Sequence, residues 1–295
     1  MITYNHHLFI KEAIEGVLSQ QVDFGVELII LDDASPFNIN SIILDYIKNH
    51  PNGSWIRYER NVENLGMSEN FIKGLKKCEG MYIAICEGDD YWTDPLKLQR
   101  QVAFLDSNQD YVMIADNSIW YEVSRNTERK FSDGPTRDVS VFEILRERQF
   151  STASVLFRNS DYLYKNLDKI LGDVILWVFL SKLGVIRFDN YLSSVYRRHP
   201  SGMVLGSDKL EWAKTMEKWN SLIIDIAPNI PYSILRERNF SGYKGASDFY
   251  LRSGNFFLYI KCLGNLFRID KPNSLKLLLH HIKKILDHLV YRNIK

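Results

Sequence analysis

Cysteine is scarce in this 295-residue chain, with only Cys78, Cys86 and Cys262, an odd set without C-x-x-C spacing. That argues against a disulfide framework and a structural zinc site, and it fits a reducing compartment. Long apolar runs are lacking too. The richest stretches, Val174 to Ser181 and Phe256 to Ile260, fall well short of the ~20 residues that span a bilayer. Nor does a basic segment followed by an apolar one open the chain at Met1-Ile2-Thr3-Tyr4-Asn5, so no secretory signal is expected and the cytoplasm is the expected location. Neither charge sign dominates: 37 Lys and Arg against 36 Asp and Glu leave a net charge of +1. No global field is therefore available to hold a nucleic-acid backbone. The sequence also contains no G-x-x-x-x-G-K-[ST], no G-x-G-x-x-G after a strand and no H-E-x-x-H, which removes support for ATPase, dinucleotide-dehydrogenase and zinc-protease readings.

What is present is a globular composition, 45% hydrophobic and 25% charged, which excludes disordered and fibrous classes. At ~100–200 residues per domain the length allows one large α/β domain with an appendage, or two smaller domains. The apolar runs over 26–31 and 81–86 both end in acidic residues and read as buried parallel strands. Helical patterns cover roughly 7–21, 38–49, 67–78 and 95–107, the last opened by Thr93-Asp94-Pro95. Strand and helix in alternation predict a doubly wound α/β sheet. Beyond about residue 205 amphipathic helical segments run to the end.

Open α/β sheets bind ligands at the carboxyl edge of their strands, and two acidic clusters sit there. Asp32-Asp33-Ala34-Ser35 caps a helix as readily as it binds a ligand. Glu87-Gly88-Asp89-Asp90 is harder to explain as a turn, because three carboxylates within four residues repel one another unless a cation or well-placed donors offset them. Hard oxygen ligands suit Mg²⁺ or Mn²⁺, ions that share substrate phosphates. The combination predicts a nucleotide-diphosphate binder that uses a metal in place of a Gly-rich cradle. Of the histidines, His6, His7, His280 and His281 are expected at the surface; Trp92 and Trp177 are expected in the core or a cleft wall.

The order of these motifs resembles the family 2 inverting glycosyltransferases of the GT-A fold. Thr3-Tyr4-Asn5 is similar to the family's T-Y-N, Asp32-Asp33-Ala34-Ser35 to its D-D-x-S, and Asn64-Leu65-Gly66 to its N-x-G. Glu87-Gly88-Asp89-Asp90 is similar to its metal-binding D-x-D region, with Glu in place of the first Asp. Gly172-Asp173 before an apolar helix resembles the segment of the catalytic base, and Tyr196-Arg197-Arg198-His199 the closing Y-R-x-H. The resemblance implies a GT-A catalytic domain over 1–204, its first strand truncated because little precedes Tyr4, and a helical extension over 205–295. It further implies that Thr3 and Tyr4 hold the nucleotide, Tyr4 by stacking on the base, and that Asp33 accepts a base N–H, as uracil or thymine would offer. Asp89 would lie near the ribose and donor sugar, Asp90 would hold Mg²⁺ or Mn²⁺ on the diphosphate, His199 would contact the diphosphate or the metal, and Asp173 would be the general base. Read without the resemblance, Asp173 is a carboxylate favoured at a helix N-terminus, and His199 a loop residue before the turn Pro200-Ser201-Gly202.

The implied activity is transfer of a sugar from a UDP- or dTDP-linked donor to an acceptor hydroxyl in glycan or lipid-linked saccharide assembly. A catalytically inactive scaffold or a sugar-phosphate nucleotidyltransferase are the alternatives; the latter calls for a Gly-rich start, which is missing. From 271 to 295, six basic residues oppose the single acid Asp287. Leu275, Leu278, Leu279, Ile282, Ile285, Leu286 and Leu289 form a stripe that either lies on an anionic membrane or packs on the protein.

Overall fold

The computed structural model describes residues 1–202 and 208–293, with side chains placed through residue 284. The chain divides into two compact units, Met1–Leu205 and Gly206–Lys295.

The first unit opens with β1 (Ile2–Thr3), α1 (Ile10–Leu18), β2 (Leu28–Asp32), α2 (Asn40–Asn49), β3 (Ile56–Arg60) and α3 (Met67–Lys77). The strands β1, β2 and β3 pair in parallel in that order, Ile2 opposite Leu31 and Leu28 opposite Ile56. All of β2, Leu-Ile-Ile-Leu-Asp, is buried, which is why a continuous apolar run rather than an alternating one marks it. On α1 the buried residues Ile10, Ala13, Ile14, Val17 and Leu18 keep the spacing of one helical face. Gly16 lets that helix approach the next sheet, since a Cβ there would stand 2.7 Å from the Trp92 carbonyl oxygen.

The unit continues with β4 (Tyr82–Ala84), β5 (Tyr91–Trp92), α4 (Lys97–Ser107), β6 (Tyr111–Glu122), β7 (Thr127–Lys130), β8 (Arg137–Val139) and α5 (Val141–Arg146), then β9 (Val155–Arg158), α6 (Asp161–Tyr164), α7 (Asp173–Leu180) and β10 (Val185–Arg198). Among the described residues these strands form a seven-stranded mixed sheet in the order β4-β9-β6-β10-β5, with β7 added to β6 and β8 to β10. The long β6 and β10 run parallel, Val185 opposite Tyr111 and Arg198 opposite Glu122. The expected parallel strand over 81–86 is corrected: β4 is short and antiparallel to β9, Tyr82 opposite Arg158. An apolar run reports burial on both faces but not the direction of its neighbour, and here the neighbour is a strand that returns from later in the chain. Trp92 and Trp177 are core residues, 6% and 3% exposed.

A cavity of about 570 Å³ lies at the amino ends of β2 and β4, lined by Met1, Leu28, Ile29, Ile83 and Leu156 among others. The strand-end carboxylates lie at the opposite edge and take no part in it.

The second unit is helical: α8 (Lys209–Ile226), α9 (Tyr232–Arg252), α10 (Phe256–Ile269) and α11 (Lys271–Asn293). Asp208 caps α8 by accepting from the Leu210 and Glu211 N–H groups, both at 3.0 Å, and Tyr250 Oη donates to its other oxygen at 2.6 Å. Leu210, Tyr243, Tyr250, Tyr259, Cys262 and Leu266 belong to its core. His281 departs from its expected surface position: it is 2% exposed, with Nε2 2.7 Å from Asp248 Oδ1 and Nδ1 3.1 Å from Tyr259 Oη. Its place on the buried face with Ser274 and Leu277, at i, i+3 and i+7, accounts for this. Among the described residues no helix is long and apolar enough to cross a membrane.

The core of the first unit contains one unusual cation. Lys97 is fully buried, donates to Gln101 Oε1 at 2.7 Å and stands 4.5 Å above the Trp92 ring. Burial pushes its pKa down to about 8 against the pull of Asp116, while an unfolded lysine titrates near ~10.4. Between those values the unfolded chain binds more protons than the folded one, so stability rises with pH across this window, and below about 8 the desolvation cost is present in full. Lys97→Met removes the charge and keeps the length. In urea unfolding the variant should therefore compare more favourably with the parent at pH 7 than at pH 10; a stability difference that does not change with pH would contradict this account.

Candidate active site

The carboxyl ends of β1 and β2 are held in turns that few side chains favour. Asn5 and Ala34 both take positive φ, 60° and 56°, a costly choice for residues other than glycine. The Asn5 N–H donates to Ser35 Oγ at 2.9 Å, tying the two turns together. Asp32 is fully buried and ion-paired to Arg60 at 2.8 Å, and it accepts the Ser35 N–H at 3.0 Å. Asp33, 2% exposed, organises the next turn: Oδ1 accepts from Asn61 Nδ2 at 2.7 Å and Leu65 N–H at 2.9 Å, and Oδ2 from Gly66 N–H at 2.9 Å. Three of its roughly four lone-pair sites are occupied, which leaves one open. Tyr4 projects outward, 48% exposed, and Thr3 is buried at 2%.

After β4 the chain turns through Glu87-Gly88-Asp89-Asp90, closed by Asp90 N–H donating to Glu87 O at 3.1 Å. Gly88 is required there, because a Cβ would lie 2.7 Å from Thr3 Oγ1 and 3.0 Å from His6 Nδ1. The three carboxylates face different surroundings. Asp90 is 1% exposed; its Oδ1 accepts the Arg197 N–H at 2.8 Å, and its Oδ2 has no hydrogen-bond partner among the described residues. Burial raises its pKa, and the charges of Asp89 and Glu87 add to the effect. Glu87 is pushed up to about 8, first by burial and then by the charges of Asp89 and Asp173. Asp89 goes the other way: burial alone would raise it, yet the hydrogen bond from His199 and the fields of His6 and His199 hold it below the usual carboxylate range.

Asp89 Oδ2 lies 3.1 Å from His199 Nε2 and 3.6 Å from His6 Nε2. One ligand atom from each of His6, Asp89 and His199 falls within 4.8 Å of the others. His199 is 2% exposed and aimed by Ser201 Oγ, 2.8 Å from its Nδ1. The end of β10 follows the two-residue alternation of a strand, so Arg197 and His199 are buried while Tyr196 and Arg198 on the other face are half-buried. Arg197 donates to the Asp89 carbonyl at 2.9 Å and pairs with Glu12, and its guanidinium stands 4.1 Å from the Tyr91 ring centroid.

Asp173 opens α7 after Gly172, half-buried. Its Oδ2 accepts from Thr152 Oγ1 at 3.1 Å and its Oδ1 accepts the Val174 N–H at 2.7 Å.

The structure thus brings Thr3, Asp89, Asp90 and His199 to one strand-end region, with Tyr4 and Asp33 on the adjoining turns and Asp173 within electrostatic reach of Glu87. Sequence reasoning missed His6 and named Arg197 only within the Y-R-x-H motif, without a role of its own. His6, expected at the surface, is 16% exposed at its side chain because the turn after β1 folds it against Gly88. Arg197 was findable from the alternation in Val195 to His199.

A family profile described as glycosyl transferase family 2 matches residues 1–162. The uncharacterized protein Rv1520 of Mycobacterium tuberculosis is 35% identical over 206 residues, which cover 68% of this chain and 58% of that protein. The minor teichoic acid biosynthesis protein GgaB of Bacillus subtilis is 31% identical over 144 residues, 47% of this chain and 16% of its own length. The chain therefore spans less than two thirds of these relatives. Among solved structures, S. aureus TarS residues 1–349, crystallised with UDP-GlcNAc, superposes with a TM-score of 0.62 at 16% identity, covering 94% of this chain and 82% of that one. This likeness bears out the GT-A type α/β fold with a C-terminal helical region. With more than half of its length matched, the chain belongs to glycosyl transferase family 2.

Proposed function

We propose that the chain is an inverting, metal-dependent glycosyltransferase that moves a sugar from a UDP- or dTDP-linked donor to an acceptor hydroxyl in glycan or lipid-linked saccharide assembly. The observation that carries this reading is the convergence of His6, Asp89 and His199 at the strand ends, with the carboxylate of Asp173 near enough to raise Glu87. The UDP-GlcNAc complex of TarS, on the same fold, supports a uridine nucleotide.

The residues fit a divalent ion. They combine one carboxylate with two imidazoles, and His6 Nδ1 and Asp90 Oδ2 lie buried nearby without partners among the described residues. Asp90, whose Oδ2 is unpaired, would hold the ion together with the Asp89, His199 and His6 group. Nitrogen donors favour Mn²⁺ over the harder Mg²⁺. When bound, the ion offsets charge on the leaving diphosphate. Tyr4 stacks on the base, and Asp33 shapes the turn beside it. Asp173, steadied by Thr152, accepts the proton of the acceptor hydroxyl. The acceptor oxygen bonds to the anomeric carbon from the face opposite the diphosphate as the sugar–phosphate C–O bond breaks. A single displacement of this kind inverts the anomeric configuration.

Titration calorimetry with UDP and Mn²⁺ tests the ion. Affinity should fall at least about tenfold, ~1.4 kcal/mol, with a chelator, in Asp89→Ala and in His199→Ala; unchanged affinity in all three removes the metal role. For the base, Asp173→Asn should lower transfer about 10²–10⁴-fold and leave UDP affinity alone. Near-normal transfer would reduce Asp173 to a helix-terminus residue.

Peripheral contact with an anionic membrane is part of the same proposal. On α11, Leu275, Leu279 and Ile282 are 51%, 58% and 44% exposed beside Lys276, Lys283 and Lys284, as in a helix that lies in a lipid interface. Of the rest of the stripe, Leu278 is half-buried, and Ile285, Leu286 and Leu289 have side chains outside the described residues. Co-sedimentation with phosphatidylglycerol vesicles should be salt-sensitive and should drop in the Leu275→Glu/Leu279→Glu double variant. Equal recovery of parent and variant in the pellet would leave α11 without a membrane role.

A further inference from the structure

Beside the carboxylates the first unit carries an aromatic and basic cluster that the chemistry above does not use. Trp120 on β6, Phe131 just after β7 and Tyr196 on β10 meet with ring centroids 5.2 to 5.8 Å apart. Three guanidinium groups stand over these rings. Arg129 lies 4.4 Å and Arg198 5.5 Å from the Trp120 centroid, and Arg148, after α5, lies 5.0 Å from Tyr196 and 5.5 Å from Phe131.

Cross-strand packing explains part of the rings' meeting, since Trp120 is paired with Arg129 across β7 and with Tyr196 across β10. It does not explain three like charges on one half-exposed platform, which repel one another. Arg198 approaches Glu122 at 3.7 Å. Arg129 and Arg148 are exposed and donate to neutral oxygens, the Lys130 carbonyl at 3.1 Å and Tyr196 Oη at 3.4 Å. Among the described residues neither has a carboxylate within ion-pair distance. Partial desolvation works against the Arg148 charge, yet the fields of Asp173, Tyr196 and Glu87 raise its pKa.

We infer that this platform is the acceptor subsite, and that it selects a saccharide or polyol carrying a phosphate or carboxylate next to the hydroxyl delivered to Asp173. The rings hold the guanidinium groups by cation–π contact, and guanidinium groups match oxyanions in planar, bidentate geometry. The inference rests on the glycosyl-transfer reading, which makes Asp173 the acceptor-side residue. The Asp89 and histidine cluster takes the donor diphosphate, so the arginines answer to a second anion.

Calorimetry with a glycerol-phosphate oligomer, an oligogalacturonate and a neutral maltohexaose tests it on the full chain. At least one charged oligomer should bind and the neutral one should not. The Arg129→Gln/Arg148→Gln double variant should lose about tenfold or more of that affinity while keeping its melting temperature and its UDP affinity. Which charged oligomer binds separates phosphate from carboxylate acceptors. Equal binding of the neutral oligomer, no binding by any of the three, or an affinity untouched by the double substitution overturns the subsite. A matching loss of UDP affinity assigns the arginines to the donor and also overturns it. Because oligomer binding needs neither metal nor turnover, it remains readable if Asp173 proves not to be the base.

Discussion

A buried cation, Arg197, holds the carboxylate turn against the rest of the first unit. Taking a guanidinium out of water is costly unless its hydrogen-bonding capacity is met, and here the Asp89 carbonyl, Glu12 and the Tyr91 ring meet it. Its own backbone N–H then fixes Asp90. Both carboxylates are thereby placed by one residue: Asp90 turns one oxygen to the Arg197 backbone, and Asp89 faces the two histidines. Three neighbouring carboxylates cannot all ionise cheaply, and the structure resolves the conflict by separating them. Glu87 and Asp90 are raised, whereas Asp89 stays low.

The turns around this arrangement are fixed rather than loose. Asn5 and Ala34 hold left-handed backbone conformations linked through Ser35, and Asp33 fastens the turn that ends at Gly66, itself at φ 85°. Strain of this kind persists only where neighbouring bonds over-determine it. Its presence at successive strand ends gives these turns a preformed shape, which the proposed nucleotide site needs.

Much of this was legible in the sequence because strand ends and helix openings are local features. Asp32-Asp33, Glu87 to Asp90 and Gly172-Asp173 each follow or precede a short apolar segment, and each stands at the end of a structural element. What was not legible depends on residues far apart in sequence. His6 reaches the site only because Gly88 leaves room for it, 82 positions later, and no periodicity records that. The direction of β4 depends on β9, which returns after β6. His281 and Arg197 are intermediate cases: helical spacing with Leu277 and strand alternation with His199 carry the signal, but charge and polarity draw attention away from burial.

The near-zero net charge also concealed how charge is arranged. A balance of 37 against 36 excludes a global field, yet within one unit the strand ends gather Glu87, Asp89 and Asp90 while the β6, β7 and β10 edge gathers Arg129, Arg148 and Arg198. These two regions cannot bind anions by the same physics. An acidic turn attracts a diphosphate only through an intervening cation, so its affinity depends on a metal. An arginine platform pairs with an anion directly, so its affinity depends on ionic strength. Under the proposed function the two substrates meeting at one anomeric carbon are both negatively charged, and a metal for one and guanidinium groups for the other would offset each charge locally before the reacting centres approach.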